Sequence, residues 1–221
     1  MTRSEEAAAN VSAILVDHHI AANRGDQTAL RYGDRRYTYN DLAALTNRAG
    51  NLLRRSGVGR EDRVLLLLPP SPAFFGSLFG ALKIGAAPVV LEGAAESAAI
   101  RTCLERATPM VAIVEQGRVR EVESAAGGHG VKIMVVGADS GSHPSFVEAL
   151  REMPSSLAHE KVEDSALALV ICSLDEVARV SHGELAAALS GEAPGAGTVG
   201  TWSLLPLLKE FAAGGEVSIA R

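Results

Sequence analysis

The sequence predicts a layered α/β fold, a mostly parallel sheet flanked by helices, with a small β-hairpin near the N-terminus. Three observations point to it. Short apolar runs alternate with helical patterns several times along the chain, and repeated strand–helix–strand units imply parallel pairing with helices on the sheet faces. The run Arg63–Leu68 is continuously apolar after its first residue, as a strand buried on both faces requires. Finally, 47% of the 221 residues are hydrophobic and only 4% aromatic, which suits aliphatic α/β layers and a core of useful size.

Taken in order, Val11, Ile14, Leu15 and Ile20 set a helical rhythm that ends near Gly25. Thr28–Tyr32 and Arg35–Tyr39 flank Gly33-Asp34 and read as a hairpin. Thr38 with Asp41 forms a capping box for a helix whose apolar face is Leu42, Leu45, Ala49, Leu52 and Leu53, stopped by Gly57. After the Arg63–Leu68 strand, Ser71-Pro72 opens a helix through Leu82. Ala87–Leu91 is the next strand, followed by a helix from Glu96 to Arg106 and a strand at Met110–Val114. A short helix over Val119–Ala125, a turn at Gly127–Gly130 and a strand at Val131–Val136 complete another unit. Pro144–Arg151 is a short helix, and Pro154–Asp164 is a polar connection and a loose internal boundary within one domain spanning 1–221.

Leu167–Cys172 is then a short apolar strand, and Ser181-His182-Gly183-Glu184 opens a capped helix. The intervening Ser173–Val180 reads as a loop. A strand–loop–helix corner that holds nucleotide phosphates needs glycines for close backbone approach, hydroxyls and a cation. This loop has no glycine, threonine or lysine and carries Asp175-Glu176, with Glu163-Asp164 ahead of the strand. Those carboxylates make the corner electronegative and repel a triphosphate. Gly191–Gly197 is a further loop, a short helix starts at Pro206, and Glu216–Ala220 is a last strand.

Tyr37-Thr38-Tyr39-Asn40-Asp41-Leu42, Asn47-Arg48-Ala49 with Leu52, Arg63-Val64, Leu68-Pro69 and Gly80–Val89 together resemble the start of the adenylate-forming enzymes. The opening Asp26–Asp34 is most similar to benzoate-type aryl-CoA ligases. The resemblance implies the N-terminal subdomain of an acyl- or aryl-CoA ligase. It also implies that Ser173 and Ser181-His182 frame the place of a Ser/Thr/Gly-rich loop ending in Pro-Lys-Gly that wraps the ATP phosphates. Ser173, Asp175, Ser181 and His182 are thus the expected remnant of that corner. Leu204-Leu205-Pro206-Leu207 resembles the next family motif, in which an aromatic residue and often a histidine line the acyl pocket. Leu208 and Lys209 stand there instead, and Pro206, Leu208 and Lys209 are the expected remnant. Segments that follow in the family, including the adenine and ribose contacts and the small lid with its lysine, are expected to be lacking beyond Arg221.

No catalytic residue is therefore assigned. ATP, Mg²⁺ and CoA, which the family uses, are not expected as cofactors here. The expected role is a binding or protein-interaction module that does not adenylate alone. Alternatives are a binder of a small aryl or acyl ligand or of acyl-CoA, an enzyme of changed chemistry, or part of a split acyl- or aryl-CoA ligase completed by a second chain. Apolar surface left by a shortened domain implies a homo-oligomer or a hetero-partner.

The other candidate groups have plain explanations. Ser173, Asp175 and His182 lack the Gly-x-Ser-x-Gly elbow of a hydrolytic triad. His18 and His19, adjacent on a helix, point about 100° apart and read as a surface pair. His129 and His143 have no zinc-site spacing, so no metal is expected. Lys83 and Arg101 read as solvated charges. Cys103 and Cys172, without CxxC spacing, read as buried thiols of a reducing cytosol. The formal charge of −5 gives no basic footprint for nucleic acid or anionic lipid. A polar, acidic N-terminus and the lack of an 18-residue apolar run imply a soluble, cytoplasmic protein.

Overall fold

The structure is a computed structural model that describes residues 10–92, 96–128, 130–191 and 203–220. At its centre is a six-stranded sheet built from β3 (Arg63–Leu67), β4 (Ala87–Leu91), β5 (Val111–Glu115), β6 (Lys132–Val136), β7 (Leu167–Cys172) and β8 (Val177–Ser181), in the order β6-β5-β3-β4-β7-β8. Every pair is parallel except β7 with β8. The predicted α/β class and mostly parallel sheet are therefore what the chain adopts.

Both faces of the sheet are buried, and each strand divides its side chains between two cores. Val64 and Leu66 of β3 join one apolar cluster, whereas Leu65 and Leu67 join the other. This is the period-2 alternation of a strand sandwiched between helix layers. The second, smaller layer is α4 (Ser97–Ala107) with α5 (Val119–Ala126), which bury Ile100, Cys103, Leu104 and Val122.

The first layer centres on α2 (Tyr39–Arg55) and α3 (Pro72–Lys83). Thr38 caps α2 as predicted: its hydroxyl accepts from the Asp41 amide at 3.1 Å, and the Asp41 carboxylate accepts from the Thr38 amide at 2.9 Å. Ser71 caps α3, with Pro72 in the first turn. The two helices cross closely because Gly50 and Gly80 face one another. A Cβ on Gly80 would lie 2.7 Å from the Gly50 amide nitrogen and 2.8 Å from the Thr46 carbonyl oxygen.

The N-terminal hairpin, β1 (Thr28–Tyr32) and β2 (Arg35–Thr38), acquires a third strand the sequence did not assign to it. β9 (Val217–Ile219) runs parallel to β1, Leu30 opposite Val217. Just before β9, α8 (Leu205–Ala213) packs Phe211 against Phe75 and Phe79, with ring centroids 4.9 and 5.3 Å away. The Tyr39 hydroxyl donates toward the carbonyls of Phe211 and Gly215 at 3.2 and 3.0 Å. The end of the described chain is thereby fastened to its beginning.

Three expectations are corrected here. His19 is fully buried, one turn beyond Leu15 on the same face, with its ring centroid 4.4 Å from that of Tyr39; only His18 is exposed. Lys83 is buried as well, and its ammonium reaches the Asp17 carboxylate at 2.8 Å. The other oxygen of Asp17 meets His159 Nε2 at 3.0 Å. Burial alone would raise the Asp17 carboxyl, but the hydrogen bonds from His159 and Lys83 outweigh it and hold it below its usual range. The third correction is that Val177–Ser181 is a strand, not a loop. Val177 and Val180 continue the apolar cover of β7, and shortening of the connection closes it into a hairpin.

Candidate functional site

The C-terminal ends of the parallel strands are where an open α/β sheet offers a ligand crevice. A cleft of about 490 Å³ opens there, within the usual size of small-molecule sites. Its wall is formed by Leu66–Pro70 at the end of β3, Phe74 of α3, Val90, Leu91 and Glu92 at the end of β4, Ile171 of β7, and Leu204 and Leu207 before and within α8. Glu92, Glu115 and Arg118 supply its charges. Glu92 is already engaged, since its carboxylate accepts from the Ser203 amide at 2.7 Å. Arg118 pairs with Glu121 at 2.8 Å.

The turn after β7 borders this end of the sheet. Ser173 donates its amide to the Glu176 carbonyl at 2.8 Å, and its hydroxyl accepts from the Glu176 amide at 3.0 Å. Leu174 is 53% exposed at the tip. The amides of Ser173 and Glu176, which a phosphate cradle would direct at its ligand, are consumed within the turn. The Asp175 carbonyl accepts from Arg106 at 3.2 Å. Four residues with two carboxylates, no glycine and no lysine offer no positive charge of their own for a triphosphate. The Ser173–Glu176 turn does not fit the triphosphate of ATP.

The predicted corner residues do not form one site. Leu167 pairs with Ser181 and Cys172 with Val177, so Ser173 and Asp175 sit at one end of β7 and Ser181 and His182 at the other, about 17 Å away at the rise of an extended strand. Glu163-Asp164 likewise lies at the far end from Asp175-Glu176, with the Asp164 backbone carbonyl accepting from the Gly183 amide at 2.9 Å. Ser181 is the N-cap of α7 (His182–Ser190), completing the predicted box with Glu184. His182 is buried, its Nδ1 accepting from the Val11 amide at 3.3 Å. Burial pushes its pKa down to about 4, opposed by the nearby Asp164.

In the second predicted motif, Leu208 is buried in the core, while Pro206 and Lys209 are exposed. The neighbours Leu204 and Leu207 face the cleft instead, as the helical period of α8 dictates. The cleft residues that sequence reasoning passed over follow one signal: Leu68-Pro69-Pro70, Glu92 and Glu115 each end or directly follow a parallel strand. His143 meets Glu123 at 2.9 Å, while His129, Trp202 and most of Gly191–Gly197 lie outside the described residues. Among the described residues, no group of three or more His, Cys, Asp or Glu is placed to hold a metal ion, and no helix is long and apolar enough to cross a membrane.

A two-faced, mostly parallel sheet with a crevice over its strand ends is a layered α/β domain of the kind that offers a ligand site at its strand ends. The model of the AMP-binding enzyme family matches residues 17–178, and the chain belongs to that family. A 3-hydroxybenzoate/4-hydroxybenzoate–CoA ligase of Thauera aromatica is 43% identical over 82 residues, covering 37% of this chain and 16% of its own. A 3-hydroxybenzoate–CoA ligase of an Aromatoleum species is 28% identical over 168 residues, covering 75% and 32%. Among solved structures, an anthranilate CoA ligase in complex with anthranoyl-AMP superposes with a TM-score of 0.83 at 21% identity, and a benzoate CoA ligase from Burkholderia xenovorans with 0.81 at 20%. Both cover 96% of this chain, which spans 45% of theirs. The fold is that of the N-terminal part of these aryl-CoA ligases.

Proposed function

We propose that this chain is a binding module of the aryl/acyl–CoA ligase type that holds a small aryl or acyl group in the strand-end cleft and does not adenylate it by itself. One observation carries the reading: the Ser173–Glu176 turn bonds its Ser173 and Glu176 amides internally and presents carboxylates where phosphates would need cations. Adenylation develops charge on transferring phosphate and requires preorganised cations or donors to stabilise it. The apolar lining of the cleft, from Leu66 to Leu207, supports retention of an organic ligand.

Pyrophosphate exchange with benzoate, 3-hydroxybenzoate, acetate and a fatty acid, run beside titration calorimetry with ATP–Mg²⁺, tests the negative half. No acid-dependent exchange and no nucleotide heat are expected, and clear exchange by the chain would overturn the reading. Thermal-shift measurements with the same acids test the positive half. An aryl or acyl acid is expected to raise the melting temperature of the chain and to fail with Leu207→Arg, which places a charge in the cleft. Indifference of the unaltered chain to every acid would refute the ligand assignment while leaving the nucleotide result standing.

A further inference from the structure

Away from the strand-end cleft, a second cavity of about 520 Å³ lies where β2, α2 and α6 (Phe146–Arg151) meet. Three arginines line it, one from each element: Arg36, Arg48 and Arg151. Helical spacing sets the α2 and α6 contributions, since Asp41, Leu45 and Arg48 follow at i, i+4 and i+7, and Val147 and Arg151 at i and i+4. We propose that this cavity binds a small organic phosphate monoester, its anionic head held by the three guanidiniums and its apolar body laid on Tyr37, Leu45 and Val147.

The positive charge there is uncompensated. Arg31, Arg54, Arg55 and Arg118 each meet a carboxylate at 2.8 to 2.9 Å, whereas Arg36, Arg48 and Arg151 have no ion pair among the described residues. Glu216, whose charge reaches Arg36, is bonded to Arg31. The lining carboxylate among the described residues is Asp41, and its Oδ2 accepts from the Thr38 amide and hydroxyl at 2.9 and 2.8 Å. Setting Asp41 against the three arginines leaves two positive charges, in a chain whose formal charge is −5. The Arg48 Nε–H is shut off from solvent and has no partner among the described residues. A buried donor left unpaired costs free energy that an arriving acceptor recovers.

Two net charges match a phosphate monoester, which carries about −1.5 to −2 at neutral pH, better than a singly charged carboxylate. Guanidinium groups also present paired N–H donors to phosphate oxygens in a fixed planar fork. Inorganic phosphate would leave the apolar wall idle, where Val147 is 42% exposed and Tyr37 and Leu45 are half-buried. The volume of about 520 Å³ is that of a site for a small molecule. The cavity shares no lining residue with the strand-end cleft, and its ligand does not depend on what that cleft holds.

Titration calorimetry of the full chain at low salt with naphthyl phosphate, naphthol and inorganic phosphate tests the assignment. Naphthyl phosphate is expected to bind at one site per chain, about tenfold or more tighter than either fragment, and to weaken as added salt screens the arginines. Arg36→Ala and Arg151→Ala, both at exposed positions, are each expected to weaken it about tenfold. Leu207→Arg, which alters the strand-end cleft, is expected to leave its affinity unchanged. No heat with naphthyl phosphate would overturn the proposal. So would equal binding of inorganic phosphate, unchanged affinity in both arginine variants, or loss of binding in Leu207→Arg, which would put the ligand in the other cleft.

Discussion

His182 accepts from Val11 through Nδ1, while its buried Nε2 has no partner among the described residues. A histidine held neutral this way makes stability depend on pH. Its folded pKa, near 4, lies below the value near 6.5 of the unfolded chain, so the unfolded state binds more protons between those limits and stability falls as pH is lowered through that window. Over the full window the loss is about 3 kcal/mol from this group. His19 adds to it with the same sign, since burial, its largest influence, lowers its pKa too. Urea midpoints are expected to drop steeply between pH 6.5 and 4.5, and His182→Gln to flatten that slope; a midpoint unchanged across this range would contradict the assignment. Neither buried histidine was legible in the sequence. The His18-His19 pair reads as surface and His182 as part of the corner until the contacts of His182 with Val11 and of His19 with Tyr39 are known.

At the scale of elements, caps and breakers were the readable features. Thr38 with Asp41, Ser71 with Pro72, and Ser181 with Glu184 each act within a few residues, so the sequence carries the whole interaction. The glycine crossing of α2 and α3 is a different kind of feature. Gly50 and Gly80 look like weak helix residues alone, and their use is visible only where two backbones meet. Gly80→Ala is expected to cost about 1–3 kcal/mol, because its methyl would meet backbone atoms that cannot swing aside. Chemical denaturation measures this, and a gain in stability from the better helix former would show that the crossing relaxes freely. The strand β8 escaped the reading because Val177–Ser181 is short and its alternation is set by pairing to β7 rather than by a long pattern of its own.

For the molecule as a whole, closure depends on contacts between the two ends of the described chain. Phe211 of α8 is fully buried between Phe75 and Phe79, and β9 completes the hairpin sheet beside β1. Phe211→Ala is expected to destabilise by about 3–5 kcal/mol and to lower the unfolding midpoint without broadening the transition. A broad, two-step melt would instead make α8 and β9 an independent unit. Large exposed apolar side chains among the described residues are Met110 just before β5, Val147 in the Phe146–Arg151 helix and Leu174 in the turn between β7 and β8.

The sequence by itself determined the class of fold, the order of elements, the capped helix starts and the poverty of the Ser173–Glu176 segment in phosphate-binding chemistry, because all of these depend on residue type and near-neighbour spacing. Only the tertiary structure decided that this segment is a closed turn with its Ser173 and Glu176 amides occupied, and that Ser181 and His182 lie a strand length away from it. It alone brought β9 to β1, and Leu204 and Leu207 to the cleft. The physical reason is common to all of them: pairing register and helix packing join residues distant along the chain, and a one-residue change of phase sends a side chain to the opposite core.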